Sequence, residues 1–211
     1  MEELFEKMAE TLIAGKEAEV KILAQEALDK GAAARDILDK GLLAGMDVVG
    51  QRFKAGDMFI PEVLLCARCM HGAMDIIKPL LSESDAAGLG TYLIGTVEGD
   101  LHDIGKNLVS MMLQGAGFQV IDLGTNITAQ QFVEAVKEHQ PDILGMSALL
   151  TTTMPRMEET IQALKEAGIR DGVKIMAGGA PVTQDFVEKI GGDAYGANAA
   201  SATEKAKELV N

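Results

Sequence analysis

Along the first 80 residues, apolar positions recur every three or four places. Leu4, Met8 and Leu12 form one stripe, and Val20, Leu23 and Ala27 begin a second. Ile37, Leu38, Leu42, Met46 and Val49 form a third. This spacing gathers side chains on one face of an α-helix. Gly31 and Gly41 are the breaks in the pattern, although Gly41 is compatible with a long helix at some cost in propensity. The stretch KAGDMFIPE interrupts the pattern again, and Pro61 suits the opening turn of a further helix. Four helices with short connections predict a small bundle of antiparallel neighbours.

LSESDAAGLG follows, polar and then small, and reads as a linker, with residues 81 to 90 a candidate hinge. Beyond it the period changes. Apolar runs occur at GTYLIGTV (90–97), FQVIDLG (118–124), DILGMSA (142–148), VKIMAGG (173–179) and, more weakly, DAYGANA (193–199). Helical segments are expected near 103–115, 128–139, 155–167, 182–190 and 200–209, with Gly115 and Gly168 as stops. Strands alternating with helices predict a doubly wound, five-stranded parallel α/β sheet of the flavodoxin-like or Rossmann-like kind. Near-continuous apolar strands fit a sheet covered on both faces. The expected domains are a helical cap, 1–84, and an α/β domain, 85–211.

Composition narrows the function. The chain has 211 residues, of which 47% are hydrophobic and 24% charged, and its net charge is −13. This acidity argues against a nucleic-acid or anionic-membrane partner. There is no long apolar run, and MEELFEKMAE is acidic where a secretion signal is basic, so the expected location is the cytoplasm. Cys66 and Cys69, the two cysteines, fall one turn apart on an apolar helix rather than at a strand-to-helix junction. They read as core thiols, and adding His71 makes no metal face.

The chemistry concentrates in EGDLHDIGKN, 98–107, at the carboxyl end of the first strand, where open α/β sheets bind ligands. His102 stands just before a helix, whose uncapped N–H groups disfavour imidazolium. Neutral imidazole is the metal-binding form. Asp100 is placed to accept a hydrogen bond from the ring nitrogen that a metal does not take. A single strong ligand undersupplies a free zinc or iron ion, but suits a metal whose remaining ligands come from a macrocycle. Two other readings fit the same residues: a histidine that caps the helix or pairs with an acid, and a general base oriented by Asp100. Ser147 lacks the glycines of a nucleophile elbow, and GTVEGDLHDIG is not a G-x-G-x-x-G dinucleotide fingerprint.

Taken in order, D-x-H-x-x-G (Asp100, His102, Gly105), S-x-L (Ser147, Leu149) and G-G (Gly178, Gly179) resemble the signature of corrinoid (cobalamin-type) binding domains. The closing stretch GGAPVTQDFVEKIGGDAYGANAASA is similar too. The helical module resembles the cap that precedes this domain in methionine synthase and in small methyl-carrying corrinoid proteins. The resemblance covers nearly the whole chain. It is nearest to the stand-alone proteins of methanol, methylamine or aryl methyl ether demethylation. It implies a cobamide whose cobalt takes His102 as lower axial ligand, with Asp100 bonded to His102 and Ser147 completing the relay. It also implies a slot for the displaced nucleotide tail beside Asp103, Ile104, Gly105 and Leu149, with Gly178 and Gly179 admitting its base end. Thr151, Thr152 and Thr153 are candidates for bonding the corrin edge or tail, or are turn residues. Met46, Met58, Phe59, Met70 and Met74 are candidates for covering the upper face, or are bundle core. Phe59, in a turn beside Pro61, is the foremost of these.

The resemblance further implies a methylcobalt(III)/cobalt(I) cycle. A substrate-specific methyltransferase loads the methyl group, and a second one passes it to a thiol or to a tetrahydrofolate or tetrahydropterin acceptor. A reductive activator is a further implied partner. No convincing site for a methyl donor occurs in either half, which favours a carrier over a self-sufficient enzyme. Rival readings are the cobalamin-binding subunit of an adenosylcobalamin-dependent mutase, a cobalamin-responsive regulator and a plain α/β interaction protein.

Overall fold

The computed structural model describes residues 1–81 and 88–210. The chain divides into two compact units, residues 1–88 with 114–117, and 89–113 with 118–211. The expected boundary between 84 and 85, and most of the expected hinge, lie outside the described residues.

The first unit is helical. It comprises α1 (Glu2–Ile13), α2 (Glu17–Asp29), a third helix and α5 (Ile60–Ile77). The third helix runs without a break through α3 (Ala34–Asp36), a π-helical stretch (Ile37–Leu43) and α4 (Ala44–Ala55). Gly41 lies inside it, and a Cβ there would come within 2.7 Å of Met8 Sδ, so the glycine lets α1 approach. Met8, Leu12, Val20, Leu23, Ala27, Ile37, Leu38, Leu42, Met46 and Val49 are all buried. Leu4 is half-buried, and Phe5 fills the core instead. Cys66 and Cys69 are free and buried on α5. Pro61 is the second residue of α5, and the Phe59 N–H donates to Glu62 Oε2 at 2.8 Å to close the first turn.

The second unit is a five-stranded parallel sheet. Its strands are β1 (Gly90–Thr96), β2 (Phe118–Asp122), β3 (Ile143–Ser147), β4 (Lys174–Gly178) and β5 (Ala194–Gly196). The order is β2-β1-β3-β4-β5, all neighbours parallel. Chain direction across the sheet therefore reverses between β1 and β3, the point where such sheets open a ligand crevice. The connecting helices are α6 (Ile104–Gly115), α7 (Ala129–His139), α8 (Pro155–Glu166), α9 (Gln184–Ile190) and the closing α10 (Ala199–Val210). Gly115 is the last residue of α6, but the left-handed residue that turns the chain into β2 is Gly117, at φ 97°.

Alternation along the strands sends successive side chains to opposite faces. Leu93, Leu144 and Ile175 pack with Phe132 and Val136 of α7, Met157 and Ile161 of α8 and Val187 of α9, forming a closed apolar core. The opposite set, Tyr92, Ile94, Gly145, Ser147, Met176, Gly178 and Gly196, faces a cavity instead. Glycines at three of those seven positions keep that face low.

Candidate cofactor site

The loop after β1 is held from several directions. The Thr96 hydroxyl, fully buried, donates to the His102 carbonyl at 2.9 Å. The Asn126 N–H donates to the Asp100 carbonyl at 3.0 Å, and the Gly99 N–H donates to Asn126 Oδ1 at 2.8 Å. Asp103 precedes α6, and its carbonyl accepts from the Asn107 N–H at 2.7 Å.

Asp100 is fully buried, with both carboxylate oxygens engaged. Oδ1 accepts from the His102 N–H at 3.0 Å and lies 2.7 Å from His102 Nδ1. Oδ2 accepts from the Leu149 N–H at 2.7 Å, the Leu150 N–H at 3.3 Å and the Thr153 hydroxyl at 2.9 Å. Burial pushes this carboxyl up, but the hydrogen bonds from His102, Leu149 and Thr153 outweigh it and hold the group well below the usual carboxylate range. An ionised carboxylate only accepts, so Nδ1 carries the imidazole proton and Nε2 presents its lone pair. The His102 side chain is 53% exposed. Around it stand Leu101, Ile104, Leu149 and Leu150, all large, apolar and exposed. Such an apolar rim marks a binding surface.

Below the imidazole opens a cavity of about 580 Å³ between the sheet and helices α6 and α10. That is within the range of small-molecule and cofactor sites. His102, Asp103, Ile104, Gly105, Ser147, Leu149, Gly178 and Gly179 all line it. A Cβ on Gly105 would meet no atom within 4 Å. The space over it is therefore open to a ligand. Gly178 and Gly179 are constrained by backbone instead: a Cβ would fall 2.7 Å from the Gly196 carbonyl oxygen and 1.9 Å from that of Ala148, and Gly179 holds φ +128°.

One expectation changes, and the other candidates fall on the alternatives left open for them or stay untested. The hydroxyl on Asp100 belongs to Thr153, buried in the turn after β3, whereas Ser147 lines the cavity. Thr151 and Thr152 are exposed in that turn and do not line the cavity. Of the cap candidates, Met46, Met58 and Met70 are buried, Met74 is half-buried and Phe59 is 68% exposed. Sequence reasoning also missed Tyr92 and Met176 on the cavity floor, and Lys106 in its wall. Lys106 is a buried ammonium paired with Asp122 and bonded to Asn107 Oδ1 at 2.7 Å. A lysine in the first turn of a helix, where the dipole is unfavourable, was the available signal.

The donor set fits a metal that brings its own equatorial ligands. Among the described residues no group of three His, Cys, Asp or Glu side chains is placed to hold a bare ion. One imidazole lining an apolar cavity, on a sheet of this order, is a donor set that suits a macrocyclic metal cofactor. A family model described as B12 binding domain matches residues 90–204, and a second of the same description matches 4–78. The chain belongs to the B12-binding family of corrinoid proteins.

It is 44% identical to trimethylamine corrinoid protein 1 of Methanosarcina acetivorans and 45% identical to dimethylamine corrinoid protein 1 of the same organism. Both matches cover 99% of this chain and 98% of the relative. The crystal structure of a methanol:cobalamin methyltransferase complex from Methanosarcina barkeri matches with a TM-score of 0.89 at 34% identity. That match covers 99% of this chain and 80% of the other. A cobalamin-binding protein from Desulfitobacterium hafniense matches at TM-score 0.81 and 34% identity over 98% of each chain. Among the described residues no helix is long and apolar enough to cross a membrane.

Proposed function

We propose that this protein carries a methyl group on a cobamide between a substrate-specific methyltransferase and a second methyltransferase with a thiol or reduced pterin acceptor. The observation that carries the reading is His102, whose Nδ1 is tied to an ionised Asp100 while the ring stays half-exposed and lines the cavity. A cobamide held there supplies a cobalt atom that takes up and gives up a methyl group. His102 would hold the cobamide's metal through Nε2, and Asp100 would fix the tautomer that leaves that nitrogen free. Thr153 and the Leu149 and Leu150 N–H groups share the carboxylate's other oxygen, so proton demand at the imidazole passes to a group that is already well satisfied. The rim of Leu101, Ile104, Leu149 and Leu150 offers a dry seat for a flat macrocycle, and the cavity below receives the displaced tail. Names of relatives that are methylamine corrinoid proteins, and a structural match to a methyltransferase complex, support the carrier role and methyltransferase partners.

The test is the absorbance of cobamide-loaded protein in its oxidised and methylated states, wild type against His102→Ala. Histidine ligation in the wild type and its loss in the variant are expected. Identical spectra from the two proteins would overturn the reading.

A further inference from the structure

Thr96 closes β1 and is wholly buried. Its backbone is fixed on both sides. The N–H donates to the Gly124 carbonyl at 3.0 Å, and the carbonyl accepts from the Ile127 N–H at 2.9 Å. In the sheet it is registered against Ser147 of β3. From this anchored position its hydroxyl reaches six residues along the chain to the His102 carbonyl, at 2.9 Å. The hydrogen-bond ladder of α6 opens one residue later, where the Asn107 N–H meets the Asp103 carbonyl at 2.7 Å. Among the described residues, the donor to the His102 carbonyl is therefore the Thr96 hydroxyl.

The braces on the intervening loop run up to Asp100. The Val97 N–H donates to the Ser147 carbonyl at 3.0 Å, the Asp100 N–H donates to the Val97 carbonyl at 3.1 Å, and Asn126 bonds to Gly99 and Asp100. The next residue, Leu101, is 73% exposed. His102 makes two further contacts, through its N–H and through Nδ1. Both end on a single atom, Asp100 Oδ1, at 3.0 and 2.7 Å. Two bonds that converge on one point leave a residue free to pivot about it. The Thr96 hydroxyl takes hold at the carbonyl, supplies a second fixed point and removes the pivot.

Resting on the function proposed above, we infer that Thr96 is a positioning residue for His102: its hydroxyl fixes the orientation in which the imidazole is presented to the cofactor's metal. A ligand held in advance loses less freedom when it binds. Threonine suits the task because its hydroxyl is carried on a β-branched side chain that is stiff at χ1, on a backbone locked in the sheet. Valine has the same shape without the donor, and serine has the donor without the methyl group. These two substitutions separate orientation of the histidine from packing of the strand end.

The experiment titrates hydroxocobalamin into the full chain as wild type, Thr96→Val, Thr96→Ser and His102→Ala. The dissociation constant and the axial-ligand absorbance are read together, with a thermal melt of each unloaded chain. Thr96→Val should bind roughly tenfold more weakly, the low end for partners that orient a metal ligand, and part of its bound cofactor should show the His102→Ala spectrum. Thr96→Ser should keep the wild-type constant and spectrum, although loss of a buried methyl group lowers its melting temperature. A Thr96→Val chain with wild-type constant and spectrum overturns the inference. An equal loss in Thr96→Val and Thr96→Ser overturns it too, since packing would then be the cause. In both cases histidine ligation stands, provided that His102→Ala still differs from the wild type. A wild type whose spectrum matches that of His102→Ala overturns the underlying reading of the site and this inference with it. Should Thr96→Val fail to fold, Thr96→Ala replaces it in the same comparison with Thr96→Ser, with the same outcomes.

Discussion

Gly105 and Gly179 are glycines of two kinds, one with open space where a Cβ would stand and one with backbone there. A side chain there enters open space, and the position lies in the first turn of a helix, where alanine is favoured over glycine by up to about 1 kcal/mol. Gly105→Leu should therefore fold with unchanged or raised thermal stability, yet lose at least about tenfold in cobamide affinity, the effect of about 1.4 kcal/mol of lost contact. Isothermal titration alongside a thermal melt checks both halves. Gly179→Ala should do the reverse and lower stability outright, because its Cβ falls on the Ala148 carbonyl. The thiol of Cys69 gives the pH-dependent case. Burial first, then the charges of Cys66 and Glu17, push it up to about 11 from 9.0. A raised folded-state value means that the folded chain holds its proton longer than the unfolded chain does. The contribution is complete below pH 9 and declines as pH climbs from 9 toward 11. Cys69→Ala should flatten that limb in urea unfolding measured from pH 8 to 11.

At the scale of the element, the Lys106–Asp122 pair joins the first turn of α6 to the end of β2. The ammonium is buried while Asp122 is partly exposed. Asp122→Ala would strand a buried charge, and about 3 kcal/mol of destabilisation by chemical unfolding is expected, the low end for such pairs because water reaches one side. The elements themselves were largely legible. Periods of 3.6 and near-continuous apolar strands gave the helices and all five strands to within a few residues, and their alternation gave the parallel sheet. The π-helical stretch was not, and neither was the close approach of Gly41 to Met8, thirty-odd residues away. The site divides in the same manner. Asp100, His102 and Gly105 sit within six residues of one another, so spacing alone displays them. Thr153 reaches Asp100 only because the turn after β3 folds inward, and Ser147, nearer the strand end, was read in its place. Tyr92 looked like one apolar strand residue among several, since nothing in GTYLIGTV reveals that Gly145 makes room for its ring.

For the molecule as a whole, −13 is a considerable excess for 211 residues. Close pairs such as Lys21–Glu17 and Lys30–Glu26 are exposed and contribute little to stability. Summed repulsion among unpaired acids should exceed what screening removes from those pairs. Raising salt from about 0.01 M to 0.15 M shortens the Debye length from roughly 30 Å to 8 Å, and the melting temperature should rise. A fall in differential scanning calorimetry would mean that the surface pairs dominate.

A carboxylate has two oxygens, and in Asp100 each answers to a different strand end. One steers the imidazole that follows β1, and the other grips the backbone that follows β3. Any tug on the ring is consequently felt across the switch point of the sheet, and amide exchange at Leu149 should slow when a ligand arrives at His102, some fifty residues upstream. One buried side chain thus rivets the two strand ends together.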